Sequence, residues 1–421
     1  MNVRPEMFPA EILLKIFSYC SHDDLVRRIP FVCRWWQEVW KHRTLWRCNV
    51  YRPNFDRRRV KNILKLSPQL HAIDLSTCNL NVSVVETMVQ CCQDIQQLCI
   101  PIYTFLDYVR SKDTPIFSNI KVLILTQEER SGNALKYLAD NLPSGITLKY
   151  LADNLPNLEH LELLSHYCSK ADLTYFLERK KHKLRTLALR CLTTDGYCVI
   201  PLLLVCTNLN TLSLRNFCDK VSDGHLEGGL QLRNISSLAL LYFGSLPEFS
   251  YFPNVVELQL HYYTVAHGDS FRSFAINFPL LRKLSFDRSP SLDDSSLGNL
   301  HYFQKLTSVS IVSNRITDRG MQQLESVPGL TYLDLYNCSK LTVECLKLIC
   351  NFRNLQVLKF DLWYLRKTRI DLKVSDIKNR GLHLMFYRCR DVTKFDYLRE
   401  QNIRVTILDD KRKALGCSKL L

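Results

Sequence analysis

The 421-residue chain is long enough for one small module plus a long array, or for two to three domains. At 46% hydrophobic and 23% charged residues, with 13 Gly and 15 Pro, it is neither low-complexity nor collagen-like. The net charge of +15 sits at the two ends: Lys+Arg against Asp+Glu is 12 to 6 over residues 1–60, 15 to 7 over 362–421 and 29 to 28 between, so the body lacks the basic stripe that a phosphate-tracking protein needs. Arg4, Glu6, Glu11 and Lys15 interrupt the first twenty residues, as they would not in a secretory or transit peptide. The longest apolar run, 199–206, is eight residues against the roughly 20 that span a bilayer. Seventeen cysteines, an odd number without any Cys-x-x-Cys pair, point away from a disulfide scaffold or zinc knuckle and towards a reducing cytosol or nucleus.

Along the chain, the first predicted element is a helix opened by Pro9, with Ile12, Leu13, Ile16 and Phe17 as an apolar stripe at i, i+1, i+4 and i+5. Ser21 or Asp23 is placed to cap a second helix around Leu25 that Pro30 limits. A third, rich in tryptophan, is expected from about Phe31 to Trp40, carrying Val32, Trp35 and Trp36, and is followed by Trp46. Three helices in about 40 residues make too small a core to hide both the stripe and the tryptophans, so part of this apolar surface is expected to meet a partner.

From residue 70 onward the pattern apolar-x-x-apolar-x-apolar recurs twelve times, beginning Leu70/Ile73/Leu75, Ile95/Leu98/Ile100, Ile120/Leu123/Leu125 and Leu158/Leu161/Leu163, and ending Leu330/Leu333/Leu335 and Leu355/Leu358/Phe360. Unit starts are separated by 25, 25, 38, 26, 25, 26, 20, 26, 25, 24 and 25 residues. The 38 contains a duplication: Leu135–Pro143 recurs word for word at Leu148–Pro156, an offset of 13. Removing it restores 25, and the duplication is expected to bulge from the connection between the third and fourth units. Within each unit the alternation predicts a short strand, and stretches such as Asp318–Leu324 and Asp294–Leu300 predict its partner helix.

The repeats resemble the cysteine-containing leucine-rich-repeat subtype, on Asn337-Cys338, on Asn314-Arg315-Ile316-Thr317-Asp318, and on Cys78, Cys92, Cys206 and Cys350. The N-terminal run Phe8-Pro9-Ala10-Glu11-Ile12-Leu13, Ile16-Phe17, Asp24-Leu25, Val32-Cys33-Arg34-Trp35-Trp36 and Leu45-Trp46 resembles the F-box, the adaptor-binding motif of SCF-type ubiquitin ligases. Phe8 departs from the usual Leu, and the Leu25–Val32 interval is one residue longer than common. Together they are similar to the F-box/leucine-rich-repeat family. That resemblance implies an α/β fold: a leucine-rich-repeat solenoid, or horseshoe, over residues 70–375, preceded by a three-helix F-box at 1–50 and a helical linker at 51–69, and followed by a C-terminal cap and basic tail at 376–421. It implies a non-catalytic substrate receptor, whose F-box docks the SCF adaptor, and through it cullin and RING subunits, by Pro9, Ile12, Leu13, Ile16, Phe17, Leu25, Val32 and Trp36.

The strand side chains that alternate with the buried leucines are expected to face the target. On that face, Arg190 and Arg215 would lie side by side and clamp an acidic or phosphorylated protein, with His261, Tyr332, Asp334 and Tyr336 as further contacts. The basic run Arg179–Lys183 reads as a solvated helix end. No phosphate loop, dinucleotide fingerprint, nucleophile elbow or zinc-binding His-Glu-x-x-His occurs, so neither a catalytic residue, a cofactor nor a metal is expected. The competing readings are an adaptor-bound scaffold without proteolytic outcome, a GTPase-activating repeat protein and a nucleic-acid binder. Neither nucleic acid nor membrane is expected as a partner.

Overall fold

The computed structural model describes residues 8–20, 22–45, 57–66, 69–78, 80–111, 118–126, 145–193, 199–215, 232–241, 252–262, 270–290, 292–313, 315–342, 344–361, 381–387 and 404–408. The chain divides into two compact units: residues 1–195 with 205–208, and residues 196–204 with 209–421.

The first unit opens with three short helices, α1 (Ala10–Ser18), α2 (His22–Arg27) and α3 (Arg34–Trp40). Pro9 is the N-cap of α1, and its carbonyl accepts the N–H groups of Ile12 and Leu13 at 3.2 and 3.1 Å. The third helix starts at Arg34, three residues later than its apolar pattern predicts. Pro30 lies in a 3-10 turn at Ile29–Phe31, and Cys33 is the N-cap, its Sγ accepting the N–H of Trp36 at 3.4 Å. Asp23 sits inside α2 instead of capping it, and Ser21 lies outside the described residues.

Helix α4 (Arg57–Leu66) leads into a strand-helix alternation: β1 (Ala72–Asp74), α5 (Val82–Cys91), β2 (Gln97–Pro101), α6 (Ile102–Ser111), β3 (Val122–Thr126), α7 (Gly145–Asn154), β4 (His160–Cys168), α8 (Lys170–Lys180) and β5 (Thr186–Thr193). Strands β1 to β5 pair in chain order, all parallel.

The second unit carries α9 (Ile200–Leu203), β6 (Thr211–Arg215), β7 (Ser237–Leu241), β8 (Glu257–His261), α10 (Ser270–Asn277), β9 (Lys283–Asp287), α11 (Asp294–Gly298), β10 (Ser308–Val312), α12 (Asp318–Leu324), β11 (Tyr332–Tyr336), α13 (Glu344–Lys347) and β12 (Val357–Asp361). Its strands are likewise parallel and paired in chain order. Each repeat triplet has its strand, and the first apolar residue of all twelve units is no more than 2% exposed. Two further strands, β13 (His383–Tyr387) and β14 (Arg404–Leu408), continue the parallel sheet past residue 375. Their triplets are incomplete. Gly381, at φ +63°, stands where the first apolar residue of β13 belongs, and Leu382 is buried in its place.

Side chains lock one repeat to the next at both ends of the strands. Asn119, Asn157, Asn208, Asn254 and Asn354, each directly before a first apolar residue, donate their side-chain amides to the carbonyls of Gln93, Ser118, His182, Arg233 and Pro328 in the preceding unit. At the helix starts, Asp294 Oδ1 accepts the N–H of Thr317 at 2.8 Å and Asp294 Oδ2 its hydroxyl at 2.5 Å; Asp318 does the same for Thr342 at the same distances. The Thr317-Asp318 pair is therefore an inter-repeat bridge: the threonine receives the previous unit's aspartate while its neighbour reaches the next. Gly320 leaves the room for this, since a Cβ there would fall on the Asp294 carboxylate.

Inside the units the thiols behave as small core residues. Cys78, Cys92, Cys206 and Cys338 are buried. Burial pushes the thiol pKa of Cys92 and Cys206 up to about 12. Cys350 is only half-buried.

Helix α8 ends differently from its sequence reading. Lys180 is 3% exposed, and its Nζ donates to the carbonyl of Leu155 at 2.6 Å. Burial, helped by Lys183, lowers its pKa to about 8. The solvated part of the run is Arg179 with Lys181–Lys183.

Candidate protein-docking surfaces

The N-terminal module sorts its apolar residues by helical spacing. On α1, Leu13 and Phe17 are both 0% exposed, whereas Ile12 and Ile16, one position earlier on each turn, are 46% and 43% exposed. The module's core is Leu13, Phe17, Leu25, Ile29, Val39, Trp40 and Leu45, all buried, with the ring of Trp36 edge-on to Phe17 at 5.1 Å. Pro9 and Val32 are exposed, and Trp36 is half-buried. Of the eight residues expected to meet an adaptor, Leu13, Phe17 and Leu25 thus face the module's own interior, and Pro9, Ile12, Ile16 and Val32 face solvent.

Sequence reasoning did not assign Phe8, Tyr19, Phe31 and Trp35 to this surface, yet they are exposed large apolar side chains. Phe31, at 70%, follows a proline in a 3-10 turn that presents it outward. Trp35 Nε1 donates to the carbonyl of Phe8 at 3.0 Å, tying α3 to the start of α1. Tyr19 was findable, since it continues the Ile12/Ile16 stripe by one more turn. So many exposed apolar side chains in so short a stretch mark an interaction surface.

The outward strand face of the second unit is polar and internally paired. His261 is 6% exposed, and its Nδ1 lies 3.0 Å from Asp287 Oδ2 on the neighbouring strand. Asp334 is 2% exposed and accepts from the hydroxyl of Tyr387 at 3.1 Å and, more weakly, from that of Tyr332 at 3.4 Å. Tyr336 and Tyr387 meet edge to face at 5.0 Å, and the Lys359 ammonium lies 5.2 Å from the centre of the Tyr332 ring. The N–H of Asn337 donates to Asp361 Oδ2 at 3.2 Å. Asn337, Tyr262 and Arg288 all directly follow a strand and have positive φ. For Tyr and Arg that is an uncommon conformation; the Arg288 guanidinium donates to the Tyr262 hydroxyl at 2.9 Å across the two turns.

The structure therefore brings Tyr332, Asp334 and Tyr336 together, and adds Lys359 and Tyr387 to them. His261 belongs with Asp287, three strands away. Arg190 lies within β5 and Arg215 ends β6, in different units, and their side chains lie outside the described ones. Among the described residues, no group of His, Cys, Asp or Glu has the arrangement to hold a metal ion, and no helix is long and apolar enough to cross a membrane.

Residues 8–52 match the F-box-like family model. Among solved structures, the chain is similar to one from the complex of Rad7 and Elc1 in yeast, at 15% identity over 89% of this chain and 92% of that one, with a TM-score of 0.48. It is also similar to an internalin from Listeria monocytogenes, at 14% identity over 83% and 94%, with a TM-score of 0.34. No curated protein matches the chain. The molecule is thus an F-box-like domain followed by leucine-rich repeats of alternating parallel strand and helix.

Proposed function

We propose that this chain is the target-recognition subunit of an SCF-type ubiquitin ligase, with the F-box-like domain seated on the adaptor and the repeats holding a protein target. Ubiquitin transfer then belongs to other subunits, cullin-bound and RING-bound. This chain supplies proximity, converting an encounter into a step of high effective concentration. The observation that carries the reading is the exposed apolar surface of Phe8, Ile12, Ile16, Phe31, Val32 and Trp35 on a module whose own core is already complete. Leu13, Phe17 and Leu25 act on the adaptor only by holding that surface in place. The target side is the strand face, where the half-exposed rings of Tyr332 and Tyr336 offer aromatic anchors over the buried Asp334. Arg190 and Arg215 remain the choice for an acidic or phosphorylated group.

The test separates surface from core. Ile12→Asp with Ile16→Asp is expected to abolish co-purification of the adaptor while thermal unfolding stays within about 2 °C of wild type, because exposed substitutions rarely cost more than ~0.5 kcal/mol. Leu13→Asp is expected to unfold the module, since it places an unpaired charge in a dry core. Adaptor capture that survives the double surface variant overturns the proposal.

A further inference from the structure

The duplicated segment is wider than its word-for-word part. Residues 131–143 and 144–156 agree at eleven of thirteen positions, differing only as Asn133-Ala134 against Ile146-Thr147. The second copy contains the whole of α7 and makes it part of the repeat core. Leu148, Leu151, Ala152 and Leu155 are buried. The Tyr150 ring meets Phe105 of α6 edge-on at 6.3 Å, and Lys149 pairs with Asp172 of α8 at 3.5 Å. Asp153 accepts from the hydroxyl of Tyr175 at 3.0 Å and pairs with Arg179 at 3.2 Å. Each of these second-copy residues has an identical counterpart thirteen positions earlier, in a stretch that lies outside the described residues.

The connections are also symmetric. With the second copy seated, residues 127–144, eighteen in number, join β3 to α7, and residues 155–159, five in number, join α7 to β4. Seating Gly132–Asn141 instead leaves five residues, 127–131, before the helix and eighteen, 142–159, after it. Loop-closure entropy depends on the lengths, and the two lengths merely exchange.

We propose that the two copies are alternative occupants of one helix seat between α6 and α8, so that the fourth repeat has two registers that place the thirteen extra residues either before or after its helix. The present register is selected by the turn after the helix. A five-residue return to the next strand also follows α5, α8 and α10. Here that return is held by the N–H of Leu158 on the carbonyl of Leu155, by the amide of Asn157 on Ser118, and by Lys180 and Lys183 on the carbonyls of Leu155 and Pro156. The first copy repeats the Leu-Pro of this turn but continues with Ser144 in place of Asn157. The difference between the registers is thus a few hydrogen bonds, with the buried helix face the same in both.

A double-mutant cycle on the full chain tests this, read by thermal unfolding and by hydrogen exchange on peptides that Asn133 or Ile146 tells apart. Leu138→Asp alone is expected to change nothing. Leu151→Asp alone is expected to lower the midpoint by no more than about 3 °C and to move slow exchange from 148–155 to 135–142, because the intact copy takes the seat. The double variant has no competent occupant and is expected to lose about 10 °C or more. Leu151→Ala and Leu138→Ala repeat the cycle without a buried charge. If Leu151→Asp alone falls as far as the double variant, or slow exchange fails to move, the two copies are not interchangeable and the proposal is overturned.

Discussion

At the scale of single residues, burial separates neighbours that a pattern treats alike. Ile12 and Leu13 are adjacent and equally apolar, yet one faces solvent and the other the core, because about 100° of helix rotation lies between them. The aspartate bridges show the converse: a short polar residue in an ordinary-looking helix start holds two repeats together. Asp294→Ala leaves the N–H and hydroxyl of Thr317 without their acceptor and is expected to cost about 1–3 kcal/mol in urea unfolding. Gly320→Ala acts on the same carboxylate from the other side, so the pair is expected to be clearly less than additive. Additivity would mean that the glycine serves something other than the bridge.

At the scale of elements, the C-terminus of α7 is held by a lysine from the next unit. A carbonyl at a helix end is a good partner for an ammonium group. The cost is burial of a cation, seen in the lowered pKa of Lys180, about 8. The sign follows from proton counts: between about 8 and the ordinary value of 10.5 the unfolded chain keeps the proton and the folded one releases it, so stability from this group rises with pH through that window and is lost as pH falls below it. Lys180→Met lacks the titration. Wild type is therefore expected to gain on that variant between pH 7.5 and 10, by on the order of 3 kcal/mol at the upper bound. Chemical unfolding of both proteins across that range checks it, and a pH-independent difference would place Lys180 in solvent.

At the scale of each unit, stability comes from stacking neighbours, so a terminal repeat matters more than its weak pattern suggests. Strands β13 and β14 cover the edge of β12, and Tyr387 of β13 donates to Asp334, in the middle of the outward face. Deleting residues 381–408 is expected to expose that edge, lower the unfolding midpoint by several degrees and promote self-association visible in sedimentation. Tyr387→Phe, which removes only the hydroxyl, is expected to leave the edge covered and the protein monodisperse. Equal behaviour of the two variants would show that the Asp334 bond, not the strand pair, is what matters.

What could be read from the residues alone was whatever depends on period and count. The repeat of about 25, its strands and partner helices and the thirteen-residue insertion all follow from spacing, because a strand of alternating leucines beside an amphipathic helix has one way to bury both faces, and the F-box-like start follows from its resemblance to that motif. Beyond that, neighbours in space decided. Which copy of the duplication is seated depends on a return turn whose hydrogen bonds come from Ser118, Lys180 and Lys183, residues far from it in sequence. The last two strands escaped notice because Gly381 replaces the apolar residue that would have announced the first of them. Asp334 and His261 read as exposed contacts on alternation alone, but Tyr387, two strands away, donates to the first, and Asp287 of the adjoining strand meets the second. Alternation assigns a side chain to a face of the sheet; only the packed neighbours determine whether that face is open to a partner.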